Sequence, residues 1–280
     1  MIIDAHHHLW NLDRAPYPWL GDHLPTINRS MEFTELEPLI DGAGVDLTIV
    51  VQGSDFAADT EYLLEQALRH PRIVGVVGWV PLARPDEAAA QLDALMTHPA
   101  FRGVRHGINF EADADWLLRP DVTEGLELLA ARDIPFDIVS VRRRHLELIP
   151  ELSERHPDLR MVIDHLSKPP VKRDEWEPWR TNLARAAENP RVFAKVSGLF
   201  PSRGDMTEWT VDDVRPFVDY ALELFGPERL MAGSDWPIAN LAGGYGRVWR
   251  GITDSISDLP VSSRDAILGG TAARFYSLTD

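Results

Sequence analysis

Met1-Ile2-Ile3-Asp4-Ala5-His6-His7-His8-Leu9-Trp10 opens the chain. The apolar pair Ile2 and Ile3 starts a short buried strand, Ile2 to His6, that ends in histidines. His6 and His8 stand two residues apart, so on a strand both project to one face and His7 to the other. Two imidazoles on one face at a strand's C-terminal end can bind a metal ion or grip a polar substrate. A histidine-tag remnant would be longer and would lie in a flexible polar linker. A single core histidine would not explain a His-x-His pair.

Seven more β-branched or apolar runs follow: 46–52, 73–80, 102–106, 135–140, 160–165, 192–196 and 229–234. Helical patterns lie between them at 60–69, 86–96, 122–132, 145–155, 176–188, 211–225 and 246–257, and a last one, 262–275, closes the chain. The runs are continuously apolar rather than alternating, which belongs to parallel strands covered by helices. Eight strand–helix units in 280 residues predict one α/β domain over residues 1–280, a closed (β/α)8 TIM-type barrel. An open doubly wound sheet would carry a Gly-rich turn after its first strand, and none is present. Three long loops, 11–29, 168–177 and 200–210, each follow a strand, and such loops form the mouth of a barrel.

Composition narrows the function classes. The chain has no cysteine, which excludes disulfides, zinc-thiolate sites and thiol nucleophiles. A formal net charge of −16 makes nucleic acid and anionic membrane poor partners. No apolar run approaches the roughly 18 residues of a membrane span, and the start lacks the basic and apolar regions of a signal peptide. The expectation is a soluble cytoplasmic protein, monomer or homodimer, acting on a small molecule. The nine tryptophans serve both as core and as flat surfaces on which a sugar ring can stack.

Polar residues collect at the predicted strand ends: His6 and His8, Arg105 and His106, Asp164 and His165, Lys195 and Ser197, and Ser234-Asp235-Trp236. In a closed barrel these ends converge on one mouth. Each has a plainer reading by itself. Arg105 pairs with a nearby carboxylate, Lys195 bridges strands, Asp164 orients a neighbour, and Asp235 caps a helix. Together they make Arg105, His106, Lys195, Trp10, Trp116 and Trp236 the candidate substrate contacts, with Tyr245 beside them.

Asp4-Ala5-His6-x-His8, Tyr17-Pro18-Trp19-Leu20, Gly103-Val104-Arg105-His106, Asp164-His165-Leu166-x-Lys168-Pro169, Lys195-x-Ser197-Gly198-Leu199 and Gly233-Ser234-Asp235-Trp236-Pro237 resemble the amidohydrolase superfamily. Within it they resemble the amidohydrolase-related (type 2) branch, which contains sugar lactonases and pyrone-dicarboxylate lactonases. The likeness runs from Ile2 to Tyr276. The Trp116-Leu117-Leu118-Arg119-Pro120-Asp121 segment is similar to the sugar-lactone members. The resemblance implies a hydrolase of carbohydrate metabolism that opens an aldonolactone to its sugar acid. His6, His8, His165 and Asp235 would hold one divalent metal ion, with Zn2+ first in line, and Asp235 would move the proton of the attacking water. His165 and Arg105 would stabilise the oxyanion. A metal-free site in which the same histidines bind the lactone stays open.

The chain departs from the pattern in several places. No Lys or Glu bridging ligand appears on strand four or five, where Asp137 stands without a histidine, so a two-metal centre is disfavoured. His7 stands where relatives often carry Gln, and Ser140–Arg144 and Ser202–Asp205 are unusual. Three alternatives remain: a zinc-dependent decarboxylase of the same superfamily, a non-catalytic sugar-acid-binding barrel, and an amide or phosphoester hydrolase, which the missing bridging ligand disfavours.

Overall fold

A computed structural model describes residues 1–172, 175–201 and 205–278. Among the described residues, eight parallel strands form one sheet in sequential order: β1 (Ile3–His7), β2 (Leu47–Val51), β3 (Ile73–Gly78), β4 (Phe101–His106), β5 (Phe136–Ile138), β6 (Met161–Ile163), β7 (Val192–Val196) and β8 (Leu230–Ala232). Every predicted run overlaps one of them, with β1 reaching one residue past its run and β4 starting one residue before. β2, for example, is apolar along nearly its whole length because helices cover one face and the barrel interior the other.

The first and last strands meet through backbone contacts. His7 pairs in parallel with Trp236, the His8 amide donates to the Trp236 carbonyl (2.6 Å), and the Asp235 amide donates to the His6 carbonyl (2.8 Å). Asp4 adds a side-chain stitch, its Oδ1 accepting from the Ser234 amide at 2.8 Å. Gly233 permits this closure, since a Cβ there would lie 2.6 Å from His6 Cβ. The result is a (β/α)8 barrel.

The helices α1 (Phe33–Ala43), α2 (Ala57–Arg69), α3 (Pro85–Leu95), α4 (Pro120–Ala131), α5 (Arg143–Arg155), α6 (Trp179–Ala187), α7 (Val211–Phe225) and α8 (Tyr245–Ser255) surround the sheet. Helix α1 has no counterpart among the predicted helical patterns. Pro38 interrupts its sequence, and Glu32 at its start makes no capping hydrogen bond. It is stabilised instead by burial of Phe33, Leu36 and Ile40. The predicted helix over 176–188 starts later, because Pro178 occupies its N-cap. The single closing helix resolves into α9 (Val261–Asp265), a π-helical turn (Ala266–Gly270) and α10 (Thr271–Phe275).

Two apolar regions hold the fold. The larger fills the space between sheet and helices. The smaller lies inside the barrel, where Ile3, Ile49, Val77 and Met231 meet Phe275 and Tyr276 from the C-terminal segment. This plug closes the N-terminal end of the barrel, so polar side chains gather at the other end. None of the described helices is long and apolar enough to cross a membrane.

Candidate active site

His6 and His8 do share a face. Their Nε2 atoms are 3.2 Å apart, although the pairing of β1 with β2 shifts register between Asp4 and His7. His7 points the opposite way, into the packing against Phe33, and neither of its ring nitrogens finds a partner among the described residues. Burial pushes its pKa down to about 3.

His165 reaches the same point from beyond β6. The four residues His165, Leu166, Ser167 and Lys168 all have positive φ, between 49° and 59°. Left-handed backbone costs a non-glycine residue roughly 1–2 kcal/mol, so such a run is strain that surrounding contacts must maintain. The Trp179 indole NH donates to the Leu166 carbonyl (2.7 Å), and the hydroxyls of Ser140 and Ser167 are 2.8 Å apart, which holds it. The His165 ring comes to 4.5 Å from that of His6.

Asp235 completes the group. Its Oδ1 lies 3.9 Å from His6 Nε2, 3.6 Å from His8 Nε2 and 3.7 Å from His165 Nε2. A tetrahedral zinc ion with bonds near 2.0–2.1 Å separates its ligands by about 3.3 Å, so the spacing fits a mononuclear centre. The tautomer of His8 fits as well. His8 Nδ1 is 2.8 Å from the Val51 carbonyl, which can only accept, so Nε2 carries the lone pair. His165 Nδ1 is 2.8 Å from Ser197 Oγ, and His6 Nδ1 is 3.2 Å from Asp164 Oδ1. Burial drives the pKa of His6 well down and that of His165 to about 3, so both rings are neutral. Burial works against the Asp235 carboxylate, yet its neighbours outweigh it, among them the Lys168 side chain 3.4 Å from Oδ2, and its pKa stays well below the usual range.

Beneath His6 lies a buried ionic cluster. Lys195 Nζ contacts Asp137 Oδ2 at 2.5 Å, Asp164 Oδ1 at 3.2 Å and His6 Nδ1 at 3.1 Å. Tyr276 donates its hydroxyl to Asp137 (2.8 and 2.9 Å). Arg105 Nη1 is 3.5 Å from Asp164 Oδ2 and 3.4 Å from His6 Nε2, at the edge of the histidine cluster. Lys195 therefore bridges strands and faces His6 from below; it is fully buried.

The remaining predicted contacts are placed as follows. His106 projects away from Arg105, with Nδ1 accepting from the Trp79 indole (3.0 Å), Nε2 2.9 Å from Glu111, and Trp116 stacked on its ring at 4.0 Å. Trp10 is fully buried under the 11–29 loop and donates to the Arg29 carbonyl (2.6 Å). Trp236 and Tyr245 are each 1% exposed, so both pack inside the mouth wall. Asp137 is paired with Lys195 and points to no open site. Of the 202–205 stretch, Ser202, Arg203 and Gly204 lie outside the described residues.

Two residues that reasoning from the sequence gave no role belong to the site. Lys168 Nζ is 3.4 Å from Asp235 Oδ2. Gly198, at φ 56°, leaves a gap that a Cβ would fill at 2.6 Å from Asp235 Oδ2, 2.7 Å from Lys168 Nζ and 2.8 Å from His165 Nδ1. Both sit in quoted motifs, but only the backbone path after β6 and β7 reveals their function.

Comparison with known proteins adds three findings. The amidohydrolase family model matches residues 3–278. The chain is 36% identical over 280 residues, 99% of itself and 95% of the relative, to an L-fucono-1,5-lactonase of Burkholderia ambifaria, and 34% identical to one of Burkholderia multivorans (99% and 96% covered). Its structure superimposes with a TM-score of 0.90 on an amidohydrolase from Burkholderia multivorans crystallised with bound zinc, at 33% identity and full coverage of both chains.

Proposed function

Because the chain belongs to the amidohydrolase family, we propose that its barrel mouth hydrolyses a sugar lactone, opening an aldonolactone to the sugar acid. The observation that carries this reading is that Asp235 Oδ1 lies 3.6–3.9 Å from the Nε2 atoms of His6, His8 and His165, in a chain similar along its length to L-fucono-1,5-lactonases.

Zinc held by His6, His8, His165 and Asp235 would supply Lewis acidity and a lowered pKa for water at this point. Everything else falls to the chain. Asp235, ionised and nearly buried, accepts a proton from the attacking water as it adds to the carbonyl carbon. Arg105 is the fixed positive charge at the edge of the histidines and stabilises the developing oxyanion. When the bond between carbonyl carbon and ring oxygen breaks, Asp235 returns the proton to the leaving alkoxide. The acid product ionises at neutral pH, so one proton reaches solvent per turnover.

A panel of aldonolactones and pyrone-type lactones, followed by proton release and by mass gain of one water, tests this. Rapid turnover of one or two aldonolactones is expected. No turnover above spontaneous hydrolysis across the panel would refute it.

A further inference from the structure

A cleft of about 250 Å³ opens between the segments that follow β5 and β6, and Lys168, whose Nζ is 3.4 Å from Asp235 Oδ2, stands in its wall. The N-terminal ends of α5 and α6 flank it. Arg142, Lys168, Glu175, Trp176 and Asn182 are among its walls. Resting on the lactonase reading above, we propose that this cleft is the subsite for the hydroxylated part of the lactone, and that Lys168 joins it to the reacting centre.

The lining argues for that class of ligand. Cationic donors (Arg142, Lys168), a carboxylate acceptor (Glu175), an amide and an indole share one small space. Neutral hydroxyls both donate and accept, so they match a wall of mixed sign better than an anion or an alkyl chain does. Trp176 is half-buried, stacked at 4.4 Å on Phe217, and therefore fixed in orientation. Such a ring offers the C–H face of a sugar a flat apolar surface. At about 250 Å³ the cleft lies just below the small end of ordinary ligand pockets, which run from about 300 to 1,000 Å³, and so suits a small ligand.

Lys168 makes the connection. Its backbone is the last residue of the left-handed run, so the strain that places His165 places Lys168 too. An ammonium has three donors. Two are directed at the Gly198 carbonyl (3.3 Å) and Asp235 Oδ2 (3.4 Å), while the Phe200 ring packs 5.1 Å from Nζ. The side chain is 22% exposed against 3% for Asp235. Lys168 is thus the group through which the buried carboxylate meets the cleft, and its third N–H is available to a substrate hydroxyl.

The test compares an aldono-1,5-lactone with unsubstituted δ-valerolactone, which has the same ring and ester but no hydroxyls. Wild type, Arg142→Ala, Trp176→Ala, Lys168→Met and Lys168→Arg are assayed on both. Hydrogen bonds to charged groups support discrimination on the order of 10-fold each. The ratio of kcat/KM, aldonolactone over valerolactone, is expected to fall about 10-fold in Arg142→Ala and Lys168→Met, mainly through KM, to fall in Trp176→Ala, and to recover partly in Lys168→Arg. Equal losses on both substrates in every variant would overturn the subsite while leaving the lactonase reading intact. Absence of turnover of either lactone by wild type would overturn that reading and the subsite with it.

Discussion

His8 Nδ1 lies 2.8 Å from the carbonyl oxygen of Val51, at the end of the neighbouring strand. A carbonyl only accepts, so the proton sits on Nδ1 and the Nε2 lone pair faces Asp235. The tautomer of one site histidine is therefore set by β1–β2 pairing rather than by a second side chain. His165 depends on the hydroxyl of Ser197, whereas His6 Nδ1 lies between Lys195 Nζ (3.1 Å) and Asp164 Oδ1 (3.2 Å).

Ser197→Ala is expected to loosen the orientation of His165 without unfolding the barrel. Outer partners of metal-binding histidines typically contribute about 10–100-fold to metal affinity. Zinc affinity, measured by competition with a chelator, should fall within that range. Unchanged affinity would show that the Ser197 hydroxyl does not support a ligand.

Gly198→Ala places a methyl group in a gap bounded by Asp235, Lys168 and His165, at a φ of 56°. A displacement near 1 Å at a reacting group can cost about 100-fold. The expected outcome is a loss of that order in kcat/KM with a circular dichroism spectrum like that of wild type. Full activity would mean the gap is not needed.

Tyr276→Phe removes a buried hydroxyl from Asp137 and leaves the ring in the plug. Asp137 keeps Lys195 as a partner, so the loss should be about 1–3 kcal/mol by denaturant unfolding. Lys195→Met is expected to be worse, about 3–5 kcal/mol, since it leaves two carboxylates buried without their shared cation. The order of the two variants is the check.

Acid should destabilise the fold partly through His145. Its ring is buried in α5, Nδ1 has no partner among the described residues, and burial lowers its pKa from 6.5 to about 4. Between those values the unfolded chain binds a proton that the folded chain excludes. The contribution is therefore lost as pH falls below 6.5, with a slope of up to about 1.4 kcal/mol per pH unit. His145→Leu should flatten the pH dependence of stability across that window. An unaltered profile would assign the acid sensitivity elsewhere.

The barrel was legible because its strands are buried on both faces, so β-branched runs stand out against helical stretches in order. His6, His8, His165 and Asp235 were singled out on a related ground: residues at or just beyond a strand's C-terminal end lie at the mouth. What the sequence hid depends on backbone that follows no period. The left-handed run at 165–168 decides that Lys168 meets Asp235, and neither propensity nor spacing encodes it. The tryptophans were misleading for another reason. Trp10 and Trp236 stand beside site residues in the chain, but their size makes them fillers beneath the loops, fully or almost fully buried. Helix α1 was missed because Pro38 and an uncapped start mask a segment that tertiary burial stabilises.

Asp235→Asn, assayed beside wild type for proton release on the best aldonolactone, tests the role of the Asp235 carboxylate most directly. The amide keeps the size of the side chain but cannot take the proton from water. Expected is a fall in kcat of about 100-fold or more, with the fold intact by circular dichroism. Turnover within a few-fold of wild type would contradict the assignment of Asp235 as the group that moves the proton.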